Sequence, residues 1–366
     1  MMRSTDGSQG SRRRLHRGRS IVTAVPSERP GPIRFAENDI RPDALRAAHA
    51  ELVAADLTRM LRHKADFVSV ACPACDDHAA RPAFEKQGLR YVVCGSCETL
   101  FISPRPRPEH LREHYATAGS YTFWNTHIFP ASEPVRREKI VQPRVRRLLE
   151  MCRRYGVNTG AQLEIGAGFG TFCEQLRGEG VFERVYAVEP TPDGAASCRR
   201  RGIDVIAKPI EDIAAGEIEP IDVVTAFECI EHVFAPREFL MHCRALLKPH
   251  GLLVLTCPNG HGFDVIVPGP ASDTIDAEHL NYFNPASLSH LVGRCGFEVL
   301  EVTTPGVLDA ELVRKKAMAG EIDLSAQPFL RLVLLDQWER LGAPLQDFLA
   351  ANRLSGHMWL IARLRP

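Results

Sequence analysis

The ten residues Leu163-Glu164-Ile165-Gly166-Ala167-Gly168-Phe169-Gly170-Thr171-Phe172 constrain this chain most, because a strand end, a glycine turn and a helix start fall within one short run. Gln162 to Ile165 closes an apolar run of the kind found inside a parallel sheet, and Thr171 to Leu176 opens an amphipathic helical pattern. A chain that passes at once from strand to helix needs backbone angles that side chains forbid, and a ligand pressed on the main chain needs the missing Cβ. Gly166, Gly168 and Gly170 meet both needs. The turn is neither a dinucleotide fingerprint, whose third glycine would fall at Thr171, nor a phosphate loop, which would end in Gly-Lys-Ser/Thr. Glu164, just ahead of the first glycine, would repel a pyrophosphate and suits a cationic ligand with an amino group. Further on, Val185-Tyr186-Ala187-Val188-Glu189 reads as the next strand, ending in an acid placed to accept both hydroxyls of a ribose.

The pair LEIGAGFGTF and VYAVEP resembles the nucleotide-binding motifs of class I S-adenosylmethionine-dependent methyltransferases. The resemblance continues through Phe227-Glu228-Cys229-Ile230-Glu231-His232-Val233, through Leu246-Leu247-Lys248-Pro249-His250-Gly251 and on to Gly296-Phe297. From Val157 onward strands and helices alternate, with strands expected at 161–165, 185–189, 203–206, 221–227, 251–257, 297–303 and 357–364. Together these give an α/β class: a doubly wound, seven-stranded Rossmann-like sheet, its last strand antiparallel between its neighbours by resemblance. The resemblance implies that S-adenosyl-L-methionine meets Glu164, Gly166, Ala167, Gly168, Gly170, Glu189 and Pro190. It also implies Ile210 against adenine, Glu211 or Asp212 near the adenine amino group, and Phe227-Glu228 beside the methionine portion.

Cys72-Pro73-Ala74-Cys75 and Cys94-Gly95-Ser96-Cys97 are two C-x-x-C knuckles at a separation that lets four thiolates meet one tetrahedral metal. Structural Zn2+ held by Cys72, Cys75, Cys94 and Cys97 is therefore expected, in a ribbon-like module at 67–104 too small to form a core alone. The other seven cysteines are scattered through apolar segments and suit buried thiols of a reducing, cytoplasmic compartment. Around this module the expected order is a disordered Arg-rich leader at 1–38, an amphipathic helix at 40–66 and bridging or lid helices at 105–156. The methyltransferase domain then fills 157–366, with a helical insertion at 308–352. In the bridge, Tyr121, Trp124 and Arg137 are lid candidates; in the insertion, Leu330, Leu332, Leu334, Leu335, Trp338 and Leu341 form the expected packed stripe. The insertion is expected to roof the substrate pocket, with a homo-oligomer face as the alternative.

Methyl transfer asks the protein to align a nucleophile and, where that nucleophile carries a proton, to remove it. Histidine suits the second task near neutrality. Of fourteen histidines, His232 follows the fourth strand and His279 lies within Asp276-Ala277-Glu278-His279-Leu280-Asn281-Tyr282-Phe283, with Glu231 and Tyr282 in reserve as catalytic groups.

A cysteine-rich module ahead of such a domain resembles bacterial methyltransferases of sugar, surface-polysaccharide and natural-product pathways. A small, carbohydrate-type acceptor follows, with oxygen, nitrogen or carbon receiving the methyl group. Two alternatives stand beside it: a zinc-bearing RNA methyltransferase and a scaffold that binds cofactor without turnover. The 45 basic and 45 acidic residues cancel, which speaks against a nucleic-acid partner, as does the lack of an Asn-Pro-Pro-Tyr-like tetrad after the fourth strand. No run is long and apolar enough for a membrane span.

Overall fold

A computed structural model describes residues 35–214 and 216–366. The leader expected at 1–38 lies, up to residue 34, outside the described residues. Two sheets organise the rest. The larger has seven strands: β4 (Ala161–Ile165), β5 (Arg184–Val188), β6 (Asp204–Ile206), β7 (Ile221–Phe227), β8 (Leu247–Pro258), β10 (Phe297–Thr303) and β11 (His357–Leu364). Their spatial order is β10-β11-β8-β7-β4-β5-β6. β4, β5, β6, β7 and β8 pair in parallel, whereas β11 runs antiparallel to both β8 and β10. This is the expected doubly wound, Rossmann-like sheet, with its last strand antiparallel between its neighbours. The central strands read as unbroken apolar runs because helices cover both faces: every residue of β4 and β7 is buried.

That strand order reverses direction at β4 and β7, so the carboxyl ends of these two strands flank a crevice where an α/β sheet places its ligand. One face of the sheet packs on Leu148, Cys152, Phe172 and Leu176. The other packs on Phe239, Leu240, Leu288 and Leu291.

The smaller sheet has the order β1-β2-β3-β9, from β1 (Ala80–Lys86), β2 (Leu89–Cys94), β3 (Leu100–Ile102) and β9 (Asn281–Tyr282). Its last strand is borrowed. Leu100 pairs with Tyr282 and Phe101 with Asn281, so the segment after β8 is sewn into the sheet of the cysteine module. Lys86 Nζ donates to the carbonyls of Ser272 and Ile275, and Tyr91 Oη donates to that of Asp276. A four-stranded sheet shared in this way replaces the separate module at 67–104.

The bridge is a nearly continuous helical run, Phe129–Arg136, Arg137–Val141 and Gln142–Tyr155, ended by Gly156 in the left-handed region at φ 63. In the insertion, Leu334 is buried with Val313, while Leu330 and Trp338 pack around them. Leu332 and Leu335, expected in that stripe, are exposed beside Phe329. Leu332 stands two residues from both Leu330 and Leu334, about 200° round an α-helix, and so faces away from them, where a π-helical turn spans Leu332–Asp336.

Candidate functional site

The glycine loop lies between β4 and the helix Thr171–Gly178. Gly166, Gly168 and Gly170 all take left-handed backbone angles, φ 72, 53 and 72. Two of them are also required by packing. A Cβ on Gly166 would stand 2.4 Å from Cys229 Sγ, and one on Gly170 would stand 3.2 Å from Cys198 Cα. A Cβ on Gly168 would meet nothing within 4 Å, so that position faces open space. The amides of Gly166 and Ala167 both donate to Val188 O, which ties the loop to β5.

Two buried carboxylates stand at this loop. Glu164, 4% exposed, accepts from the Cys173 thiol at 3.0 Å. Burial pushes its carboxyl up to about 8, and the thiol donor and the Arg144 charge pull it only partway back. Glu189 accepts the Gly168 amide at 2.7 Å on one oxygen, and the Thr191 amide and hydroxyl on the other. It therefore braces the glycine loop, and a carboxylate so engaged still has lone pairs for a further donor. Pro190 next to it is exposed, Ile210 is in the core, and Glu211 is exposed on the turn Ile210–Asp212.

At the end of β7, the Phe227 ring meets Phe172 edge-on, and the Arg144 guanidinium lies 4.9 Å from its centroid. Glu228 has a left-handed φ of 53. Burial would raise its carboxyl, yet His357 at 2.9 Å, Arg144 at 3.4 Å and Thr256 hold it well below the usual range. Glu228 is thus anchored to β11 and to the bridge helix.

Beyond β7 the chain turns through Glu231 and His232, and the loop after β8 brings His279 against them. The two imidazole centroids are 4.7 Å apart. Asn281 fastens the two segments: its side-chain amide donates to the carbonyls of Glu231 and Val233 at 3.2 and 2.9 Å. Tyr282 is buried, and its hydroxyl accepts the Asp276 amide and bonds the Asp276 carbonyl. That hydroxyl holds the Asp276–His279 turn in place. From the bridge, Tyr121 Oη donates to Glu278 at 3.1 Å, and Tyr115 packs beside Tyr121 and His232. The other lid candidates lie elsewhere: Trp124 packs under Arg136, and Arg137 pairs with Glu133 and Glu174.

In the small sheet the four sulfurs of Cys72, Cys75, Cys94 and Cys97 all lie within 4.8 Å of one another, with Cys72 3.4 Å from Cys97 and Cys75 3.5 Å from Cys94. Such a cage fits a tetrahedral metal of thiolate preference.

Residues 136–302 match a family described as "Methyltransferase domain". That stretch, a little under half of the chain, is similar to methyltransferase domains. A curated relative, the C-methyltransferase NovU of Streptomyces niveus, is 27% identical over 255 residues, 68% of this chain and 56% of that protein. A ubiquinone biosynthesis O-methyltransferase of Bradyrhizobium diazoefficiens is 35% identical over 103 residues, 26% of this chain and 39% of that protein. The chain therefore spans about half, or less, of these relatives' own lengths. Among solved structures it is similar to an S-adenosylmethionine-dependent methyltransferase from Clostridium acetobutylicum at 9% identity and TM-score 0.43, covering 67% of this chain and 99% of that one.

Within this matched region the expected cofactor-side residues lie at or after the carboxyl ends of β4, β5, β6 and β7, with Gly166, Pro190 and Glu211 exposed among them. Sequence reasoning missed Glu278, Asn281 and His357. A signal existed for the first alone, an acid directly beside the candidate His279. Among the described residues no helix is long and apolar enough to cross a membrane.

Proposed function

We propose that this chain transfers the methyl group of S-adenosyl-L-methionine to a small, oxygen-rich acceptor of the sugar, nucleotide-sugar or natural-product kind. One observation supports this above the others: a left-handed glycine loop with two buried carboxylates accompanies a separate polar cluster of His232, His279, Glu231 and Glu278 beyond the end of β7. The donor's chemistry suits the first half. When bound, S-adenosyl-L-methionine supplies a methyl group on a sulfonium, so its cationic end belongs near Glu164, whose buried carboxyl has no basic side chain bonded to it among the described residues. Gly168 leaves the loop open to a ligand laid along the main chain, and Glu189 has lone pairs to spare for ribose hydroxyls. Phe227 and Ile210 offer apolar walls after two strands of the same sheet.

The second half selects the acceptor. Tyrosines, imidazoles and carboxylates drawn from the bridge, the turn after β7 and the loop after β8 suit hydroxyls better than an apolar surface. In such a pocket His279 and His232 orient an acceptor hydroxyl, or an acidified carbon, toward the methyl group. The two curated relatives are named for carbon and for oxygen transfer, and both atoms stay within this reading.

Zinc in the four-cysteine cage is part of the same proposal. Arg105 is 1% exposed, donates to the carbonyls of Ile102 and Phe234, and has no carboxylate within ion-pair distance among the described residues; burial lowers it to about 9. A four-thiolate metal centre carries net negative charge, and Cys72 is the charge that reaches Arg105. Such a centre would supply the countercharge that this guanidinium lacks.

The test is titration calorimetry with S-adenosyl-L-methionine, followed by a labelled-methyl assay over a panel of nucleotide sugars and an RNA pool. Cofactor binding with methylation of a nucleotide sugar supports the proposal. Cofactor binding with methylated RNA, or with no transfer to any acceptor, overturns it.

A further inference from the structure

We infer that Glu231, His232 and His279 form a binding site for one divalent transition cation, separate from the four-cysteine cage. This deepens the proposed function and rests on the reading of this cluster as the acceptor pocket. Three features on the page converge. First, one ring nitrogen from each histidine and a carboxylate oxygen of Glu231 lie within 4.8 Å of one another. Second, both histidines are held in the tautomer that a metal requires. His232 Nδ1 lies 3.1 Å from the Glu278 carbonyl and His279 Nδ1 lies 3.0 Å from the Thr274 carbonyl. A carbonyl oxygen only accepts, so each Nδ1 carries its hydrogen and each Nε2 keeps a lone pair. Ligand histidines commonly present this pattern, with the far nitrogen fixed by a backbone carbonyl.

Third, Glu231 is fully buried, and among the described residues neither of its carboxylate oxygens has a hydrogen-bond partner. His232 Nε2 lies 3.9 Å from Glu231 Oε1, beyond hydrogen-bond distance. A buried carboxylate stripped of donors costs several kcal/mol in general, and such orphans in folded proteins call for an ion or a water. With Nδ1 of each ring carrying the hydrogen, neither imidazole Nε2 can donate to the Glu231 carboxylate. A cation between them turns all three from mutual liabilities into ligands. The set is two imidazoles and one carboxylate, which suits Mn2+, Fe2+, Co2+ or Zn2+ and leaves coordination positions open.

The open positions define the acceptor further. A molecule that offers two adjacent oxygens, such as a vicinal diol or a hydroxy ketone, would bind the cation and the pocket together. The cation would lower the pKa of an acceptor hydroxyl, so that its oxygen attacks the methyl carbon as the proton passes to water and the electron pair of the broken carbon–sulfur bond stays on sulfur.

The experiment uses the full chain with zinc in its four-cysteine cage, freed of weakly held metal on a chelating resin and titrated with Mn2+ alone. One Mn2+ per chain should bind, read as loss of the free-ion paramagnetic resonance signal, with spin-echo modulation from two imidazole nitrogens. Glu231→Gln and His279→Asn should each weaken that binding at least tenfold while S-adenosyl-L-methionine affinity stays within twofold. No Mn2+ bound, bound Mn2+ without imidazole modulation, or undiminished binding in both variants overturns the site. The modulation needs only the unsubstituted protein, so a variant that fails to fold does not remove the test. Intact S-adenosyl-L-methionine binding without Mn2+ binding sinks this inference alone; loss of S-adenosyl-L-methionine binding sinks the proposed function.

Discussion

A carboxylate 4% exposed with a thiol as its side-chain donor is costly to keep, and Glu164 is kept. If a cationic cofactor is the reason, Glu164→Gln should leave the melting temperature unchanged or raised, because a buried charge site is lost, while affinity for S-adenosyl-L-methionine falls at least roughly tenfold, or about 1.4 kcal/mol. Calorimetry and a thermal melt on the same sample check both halves; a lower melting temperature with unchanged affinity would make Glu164 a structural residue. Gly168 gives a second residue-scale test. Its left-handed φ makes any side chain cost about 1–2 kcal/mol, yet a Cβ there meets no protein atom. Gly168→Val is therefore expected to fold with its zinc content intact and to lose cofactor binding, measured by metal analysis beside calorimetry. Gly166→Ala differs in kind, since its Cβ collides with Cys229 inside the fold.

Between elements, the insertion is tied to the loop after β8 by a pair of acids. Asp264 is buried, accepts from Thr274 on one oxygen, and among the described residues has its other oxygen without a partner. Asp309 accepts from Ser355, Gly356 and Gln346. Burial, then the Asp309 charge, raise Asp264 from its ordinary 3.8 to about 7. The folded chain thus keeps a proton that the unfolded chain releases. The stabilisation is present in full below about pH 4 and is lost as pH rises through about 7. Denaturant melts should show stability falling across that window by an amount on the order of a few kcal/mol. Asp264→Asn should flatten the curve; an unchanged slope would place the titration elsewhere. The helices of this insertion were legible as periodicity in 308–352, but the outward position of Leu332 and Leu335 was not, because a run this rich in leucine offers more apolar positions than one helical face can bury.

Across the whole molecule, the cysteine module and the loop that carries His279 are one sheet, through the pairing of β3 with β9. Asn284 adds a clamp, donating to Cys97 O while its side-chain oxygen caps the helix Pro285–Arg294. Removing the metal from the four-cysteine cage, or replacing Cys94 by Ser, should therefore lower methyl transfer at least tenfold while S-adenosyl-L-methionine affinity changes less than twofold. Calorimetry and turnover on chelator-treated protein check this, and equal loss of both would mean that the module merely supports the entire fold. The sequence by itself determined the succession of seven strands along the chain, the glycine loop with its two acids and the spacing of the four paired cysteines, because each is written in neighbouring residues whose backbone or ligand chemistry is local. Only the tertiary structure decided that β9 completes the small sheet, that Asn281 locks Glu231 to the His279 loop, and that Tyr282 holds a turn with its hydroxyl. Those contacts join residues far apart in the chain, and long-range pairing leaves no period or motif in the sequence for local physics to detect.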